Sequence, residues 1–226
     1  MKPLKLAIGN KNYSSWSMRP WVLLTQAGIA FDEIQLKFSD EGKVKGIESY
    51  SPTRQVPVLI VEGEPVWDSL AICEAAAELF PEKNLWPSDV RARRIARSIC
   101  AEMHVGFRDL RGAMPVNIRA SLPGKGMSPA VQRDIDRIVE IWQSCRARFG
   151  SNGELLFGQF TIADAYYAPV AARFLTYAVT LPPVAQRYAG ALLELSAVQE
   201  WTAQARRETE FVRADEPYAS PGITPA

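Results

Sequence analysis

Along the first third of the 226-residue chain, the spacing of apolar residues switches repeatedly between a period of two and one near 3.6. Residues 5–8 alternate as a short strand, and 9–13 follow as a polar loop. Residues 21–27 form an apolar helical stretch that Gly28 ends, glycine being the common residue just past a helix. A second strand is predicted over 31–36, a third over 58–61 and a fourth over 65–67. The last two are joined across Glu62-Gly63-Glu64, a hairpin-type turn. The period becomes helical again over 70–80, where Pro81 stops it. The order β-α-β, β-hairpin, α predicts a small mixed sheet covered by helices.

Beyond a linker at 84–90 containing Trp86-Pro87, strand signals nearly vanish. Helical periodicity runs through 90–114, 129–149, 162–179 and 192–207. The expectation is therefore α/β plus all-α: a first domain over 1–83 and a helical one over 91–214. The tail 215–226, with its prolines, Gly222 and small residues, is expected to be poorly ordered.

Composition narrows the function classes. Apolar residues make up 47% and charged ones 23%, ordinary for a chain that buries a core. The formal net charge of +1 offers nucleic acid no whole-molecule field, and the cluster Arg91, Arg93, Arg94, Arg97 reads as a solvated helix face. Met1-Lys2-Pro3 leads straight into the first strand without the apolar core of a signal peptide, and no apolar run is long enough for a bilayer. A cytoplasmic protein with no membrane or nucleic-acid partner is expected. Cys73, Cys100 and Cys145 lie far apart in helix-like patterns, which suits packing thiols in a reducing compartment better than a metal site. A single histidine, His104, leaves little from which to build a zinc site or a Ser-His-Asp triad.

Three short motifs could carry chemistry. Asn12-Tyr13-Ser14-Ser15-Trp16-Ser17, followed by Arg19-Pro20, sits between the first strand and first helix. Hydroxyls and unpaired amides at a helix N-terminus favour an anion, including the thiolate of a ligand whose thiol ionises near pH 8.5 when free. The plain alternative is a serine cap with Pro20 in the first turn. Gln55-Val56-Pro57 opens the third strand, and Pro57 is a candidate for a cis bond that would turn the Val56 backbone outward to pair with an extended peptide. A trans proline at a strand start is the alternative. Asp68-Ser69 precedes the second helix and could hold an amino-acid head group, the carboxylate taking the ammonium and the serine the carboxylate; alone, the pair is an ordinary helix cap.

Taken together and in this order, the motifs resemble the cytosolic glutathione transferases, and most closely their zeta class, which includes maleylacetoacetate isomerase. The class signature Ser-Ser-Cys-Ser-Trp-Arg is similar to Ser14-Ser15-Trp16-Ser17-Met18-Arg19. The resemblance spans about residues 4–210 and implies a thioredoxin-like domain followed by a helical bundle, and glutathione as co-substrate. It implies that Ser14, with Ser15 beside it, activates the sulfur. Val56, between Gln55 and Pro57, would bind the cysteinyl backbone, and Asp68 with Ser69 the γ-glutamyl group. The departure is Trp16, where that class carries cysteine.

On the electrophile side, His104, Arg108 and Arg111 are spaced to share one face of a continuous helix, and two guanidiniums there could take a carboxylated substrate. A solvent-facing or dimer-facing strip is the alternative. Arg173, in Ala172-Arg173-Phe174, is similar to the segment from which zeta isomerases draw a substrate-carboxylate arginine. Thr161 and Asp164 form a capping box with aspartate in the place of glutamate, and are expected to be structural. The expected activity is thiol attack on a small electrophile, by conjugation or cis-trans isomerisation, in a homodimer. A glutathione-dependent peroxidase or disulfide reductase, which would want a cysteine at residues 14–17, and a non-catalytic binding module are the alternatives.

Overall fold

The computed structural model describes residues 4–219. Strands β1 (Leu4–Ile8), β2 (Phe31–Gln35), β3 (Val58–Val61) and β4 (Glu64–Trp67) form one sheet in the order β2-β1-β3-β4. The parallel pair β1–β2 requires a crossover, which helix α1 (Ser15–Gln26) supplies; β3 runs antiparallel to both β1 and β4. Glu62 and Gly63 both have positive φ, as the tight β3–β4 hairpin demands. Alternation along β1 sends Leu4, Leu6 and Ile8 into the main core, while Ala7 joins Val58 and Ile47 in a small cluster apart from it. Helix α2 (Ser69–Leu79) follows β4 and packs on α1. The expected mixed sheet with its covering helices is what forms.

The helical half comprises α3 (Val90–Val105), α4 (Arg108–Ala113), α5 (Pro129–Phe149), α6 (Ile162–Thr176), α7 (Pro183–Leu193) and α8 (Ser196–Ala205). Nearly all of α6 is buried, so it carries apolar residues all round and packs against α1, α3 and α7. Trp142 fills the centre against Tyr167, Phe174 and Tyr188. The main core runs without a break from the sheet into these helices. The box at the start of α6 is present: Asp164 Oδ2 accepts from the Thr161 N–H at 2.9 Å and the Thr161 hydroxyl at 3.0 Å. Asp164 Oδ1 takes the Leu156 N–H and the Tyr188 hydroxyl, and burial pushes the carboxyl up to about 6 despite these bonds. The cysteines are free and buried.

Three expectations need correction. The helix expected over 90–114 is two helices. A Cβ at Gly106 would lie 2.7 Å from the Glu102 carbonyl oxygen, and Phe107, in the left-handed region, turns into the core. His104 therefore ends one helix, while Arg108 and Arg111 belong to the next. Between Val179 and Leu192 the chain forms α7, masked in the sequence by Pro182-Pro183; Pro183 is its first residue, where a missing N–H costs nothing. Helix α1 starts at Ser15, so Pro20 lies inside the helix beyond its first turn. In the described part of the tail, the Tyr218 hydroxyl donates to the Ala113 carbonyl at 2.5 Å, and Glu216 accepts from Tyr13 at 2.8 Å. Residues 220–226 lie outside the described part.

Candidate active site

The loop entering α1 is held mainly by residues far along the chain. The Glu208 carboxylate accepts from the Lys11 and Asn12 backbone N–H groups at 2.8 and 3.0 Å. Asn12 donates to Asn117 at 2.9 Å and accepts from the Arg119 N–H at 2.9 Å. This fixes Ser14 as the N-cap of α1, its Oγ accepting from the Ser17 N–H at 3.3 Å and donating to Ser17 Oγ at 2.8 Å. Ser17 is fully buried, and its Oγ also accepts from the Gly9 N–H at 3.1 Å. Ser15, the first helical residue, is partly exposed. Tyr13 is directed to the tail: its hydroxyl meets Glu216 and Arg119, and burial, with the Glu216 hydrogen bond, pushes it up to about 12.

The start of α2 has a different chemistry. Asp68 is its N-cap, with φ of 76°, and Oδ1 accepts from Leu70 N–H at 2.8 Å and Ala71 N–H at 3.4 Å. Its Oδ2 lies 3.2 Å from His104 Nε2, and the side chain is 44% exposed. Ser69 is 1% exposed, with its hydroxyl 2.9 Å from the Tyr166 hydroxyl, which is 3.1 Å from His104 Nδ1. The side chain expected to reach a ligand carboxylate is thus turned inward onto Tyr166. The Val56–Pro57 peptide is cis, as expected; Gln55 is exposed, Val56 half-buried and Pro57 buried.

Around Trp16 in the first turn of α1 lie two guanidiniums, with a third, Arg173, close enough to be repelled by both. Arg19, 1% exposed, stacks with its guanidinium carbon 4.4 Å from the Trp16 ring and 4.5 Å from the Tyr166 ring, and its Nε and Nη1 have no hydrogen-bond partner among the described residues. Arg111 lies over Trp16 at 4.3 Å and donates to the His104 carbonyl at 3.0 Å, at the C-terminus of α3. Arg173 is buried and donates from Nε to the Met114 carbonyl. Among the described residues, none of the three is ion-paired with a carboxylate. Burial lowers all three; repulsion from Arg19 adds to the effect at Arg111, down to about 10, and repulsion from Arg111 and Arg19 at Arg173, down to about 9. Desolvated cations without counter-charge are costly, so this arrangement attracts an anion.

Of the residues expected on the electrophile side, Arg111 and Arg173 come together; Arg108 is exposed on α4, and His104 belongs to the Asp68 corner. Sequence reasoning gave no role to Arg19, although it stands in the motif, or to Tyr166. Tyr166 lies beside Tyr167 in a largely apolar helix, where nothing in the pattern sets it apart.

Comparisons with known proteins agree with this architecture. Residues 13–79 match the family model of the glutathione S-transferase N-terminal domain, and residues 128–204 that of the C-terminal domain. The chain is 27% identical over 195 residues to maleylacetoacetate isomerase of Rattus norvegicus, covering 82% of this chain and 87% of that protein. It is 31% identical over 101 residues to maleylacetoacetate isomerase of Mus musculus, 43% of this chain and 47% of that one. Among solved structures, a glutathione transferase homolog from Burkholderia with bound glutathione superposes with a TM-score of 0.70 at 23% identity, covering 92% of this chain and 100% of that one. Glutathione transferase Omega 3C from Trametes versicolor gives 0.65 at 18% identity, covering 93% and 91%. With both family models matched in order and together taking in well over half of its length, the chain belongs to the glutathione S-transferase family.

Proposed function

We propose that this protein is a glutathione-dependent transferase or isomerase whose electrophilic substrate carries a carboxylate. The observation that carries the substrate class is that Arg19, Arg111 and Arg173 repel one another and have no acid partner among the described residues. Glutathione would lie across the two helix starts, its backbone against Val56 and its ammonium on Asp68. Ser14 would give up its bond to Ser17 and donate instead to the sulfur. The amides of α1 and the nearby guanidiniums favour the thiolate, which then attacks the electrophilic carbon. Nothing favours a disulfide reductase, because burial pushes the thiols of Cys73, Cys100 and Cys145 upward, away from reactivity. A two-fold dimer, the commonest closed assembly, is part of the same proposal.

The test is steady-state kinetics with glutathione and matched pairs of electrophiles, one neutral and one carboxylated. The wild type should prefer the carboxylated member, and Arg173→Leu should lose that preference. Equal kcat/KM for both members in the wild type would remove the substrate class from the account.

A further inference from the structure

His104 was expected on the electrophile side, and its geometry assigns it elsewhere. A carboxylate offers about four acceptor positions. On Asp68, Oδ1 has two occupied by the Leu70 and Ala71 N–H groups, and Oδ2 has one facing His104 Nε2. One position on Oδ2 is left, on a side chain that remains exposed. The hydrogen bonds around the imidazole are satisfied by one tautomer of the neutral ring. Nε2–H donates to Asp68, Nδ1 accepts from the Tyr166 hydroxyl, and the Tyr166 oxygen accepts from Ser69.

We propose that His104 and Tyr166 are positioning residues of the head-group subsite, His104 acting as a neutral imidazole that holds the Asp68 carboxylate with its last acceptor position turned to the ammonium of glutathione. The proposal rests on the assignment of that ammonium to Asp68. Charged and titratable groups face His104 from four sides: Asp68 from the start of α2, Tyr166 from α6, Arg19 from α1 and Arg111 from α4. The edge contact with Trp16, at 5.1 Å, closes the α1 side. Burial holds the imidazole below its usual 6.5, with repulsion from Arg19 and Arg111 in the same direction and Asp68 opposing. A proton on His104 would set an imidazolium beside both the arginines and the incoming ammonium. Head-group binding therefore pushes the His104 titration lower still, and affinity falls as pH drops through it.

The measurement is calorimetric affinity for S-methylglutathione, which has no thiol to titrate, on the full chain from about pH 5 to about pH 7.5. Wild type should bind more weakly toward the acid end, with tenfold as the limit that a pKa displacement of about one unit sets. His104→Gln, whose amide N–H still reaches Asp68, should match wild type at the upper pH and lose little at the lower. His104→Ala should bind about tenfold more weakly even at the upper pH, for want of a hydrogen bond to a charged group. Asp164 and Asp215, both raised to about 6 by burial, titrate in the same window but are common to all three proteins, so the contrast between wild type and Gln isolates His104. A flat wild-type profile, an acid loss that persists in His104→Gln, or full affinity in His104→Ala would each overturn the positioning role alone. Absence of binding by wild type at every pH would overturn the assignment of the ammonium to Asp68, and this proposal with it.

Discussion

The starts of α1 and α2 are alike in form and opposite in the charge they invite. At α1 the cap is a neutral serine, 5% exposed, and the guanidiniums of Arg19 and Arg111 lie against Trp16 in the first turn of the helix. At α2 the cap is a partly exposed aspartate that covers its own helix amides and is backed by an imidazole. A helix N-terminus left to a hydroxyl keeps its pull on anions; one already covered by a carboxylate presents net negative charge and takes a cation. The pair suits a peptide with an ionisable thiol toward one end and an ammonium at the other. The cap residue, rather than the helix, decides what each end holds.

A third helix start sharpens the contrast by having no access to a ligand. At α6, Asp164 is fully buried and accepts four hydrogen bonds. Asp164→Ala should lower folding stability by about 3–5 kcal/mol, since it strands several buried donors at once. Denaturant unfolding would measure this, and the protein that still folds should bind glutathione as wild type does. A loss of under about 1 kcal/mol would place α6 on the same footing as the other two starts.

Next in size is Asp68→Asn, which keeps a capping side chain but removes the charge. Glutathione affinity by calorimetry should fall about ten- to a hundredfold, while the melting temperature barely moves. Equal loss in both quantities would make Asp68 a structural cap and end the contrast with Ser14. Arg19→Met, an apolar replacement of similar reach, should cut kcat/KM for a carboxylated electrophile about tenfold. Its stability should stay within about 1 kcal/mol of wild type, because the desolvation cost of the guanidinium and its stacking on Trp16 and Tyr166 are removed together. A large loss of stability with unchanged kinetics would make Arg19 a packing residue. The smallest effect belongs to Tyr13→Phe: about 1 kcal/mol of stability from the contacts to Glu216 and Arg119, and no change in thiol ionisation. A shifted thiol titration in that variant would move the activating hydroxyl to Tyr13.

The sheet and the site motifs were legible because their signals are local. The alternation at 5–8, the Glu62-Gly63 turn, the proline after Val56 and the cap pattern at Thr161 each need only a few neighbouring residues to be recognised. What escaped depends on distance or on one backbone detail. The break at Gly106 interrupts a helical period that would otherwise run on, and it carries His104 away from Arg111's helix. Pro182-Pro183 reads as an interruption although it begins α7. Arg19 stands in a local motif, but its burial between two rings depends on Tyr166, far along the chain. Glu208, which holds the backbone before Ser14, lies in a segment that no pattern marks. Ser69 was expected to face a ligand because a helix start usually is open; Tyr166 closes it.

The proposed role of the hydroxyl at the start of α1 is to stabilise the glutathione thiolate. The direct measurement is the ultraviolet thiolate titration of the glutathione complex in wild type, Ser14→Ala and Ser15→Ala. Ser14→Ala should raise the pKa of bound glutathione and lower kcat/KM about ten- to a hundredfold, the effect of one lost hydrogen bond to a charged sulfur, with affinity nearly intact. A curve unmoved in Ser14→Ala but shifted in Ser15→Ala would transfer the role by one residue, and curves unmoved in both would contradict activation by a serine at this helix.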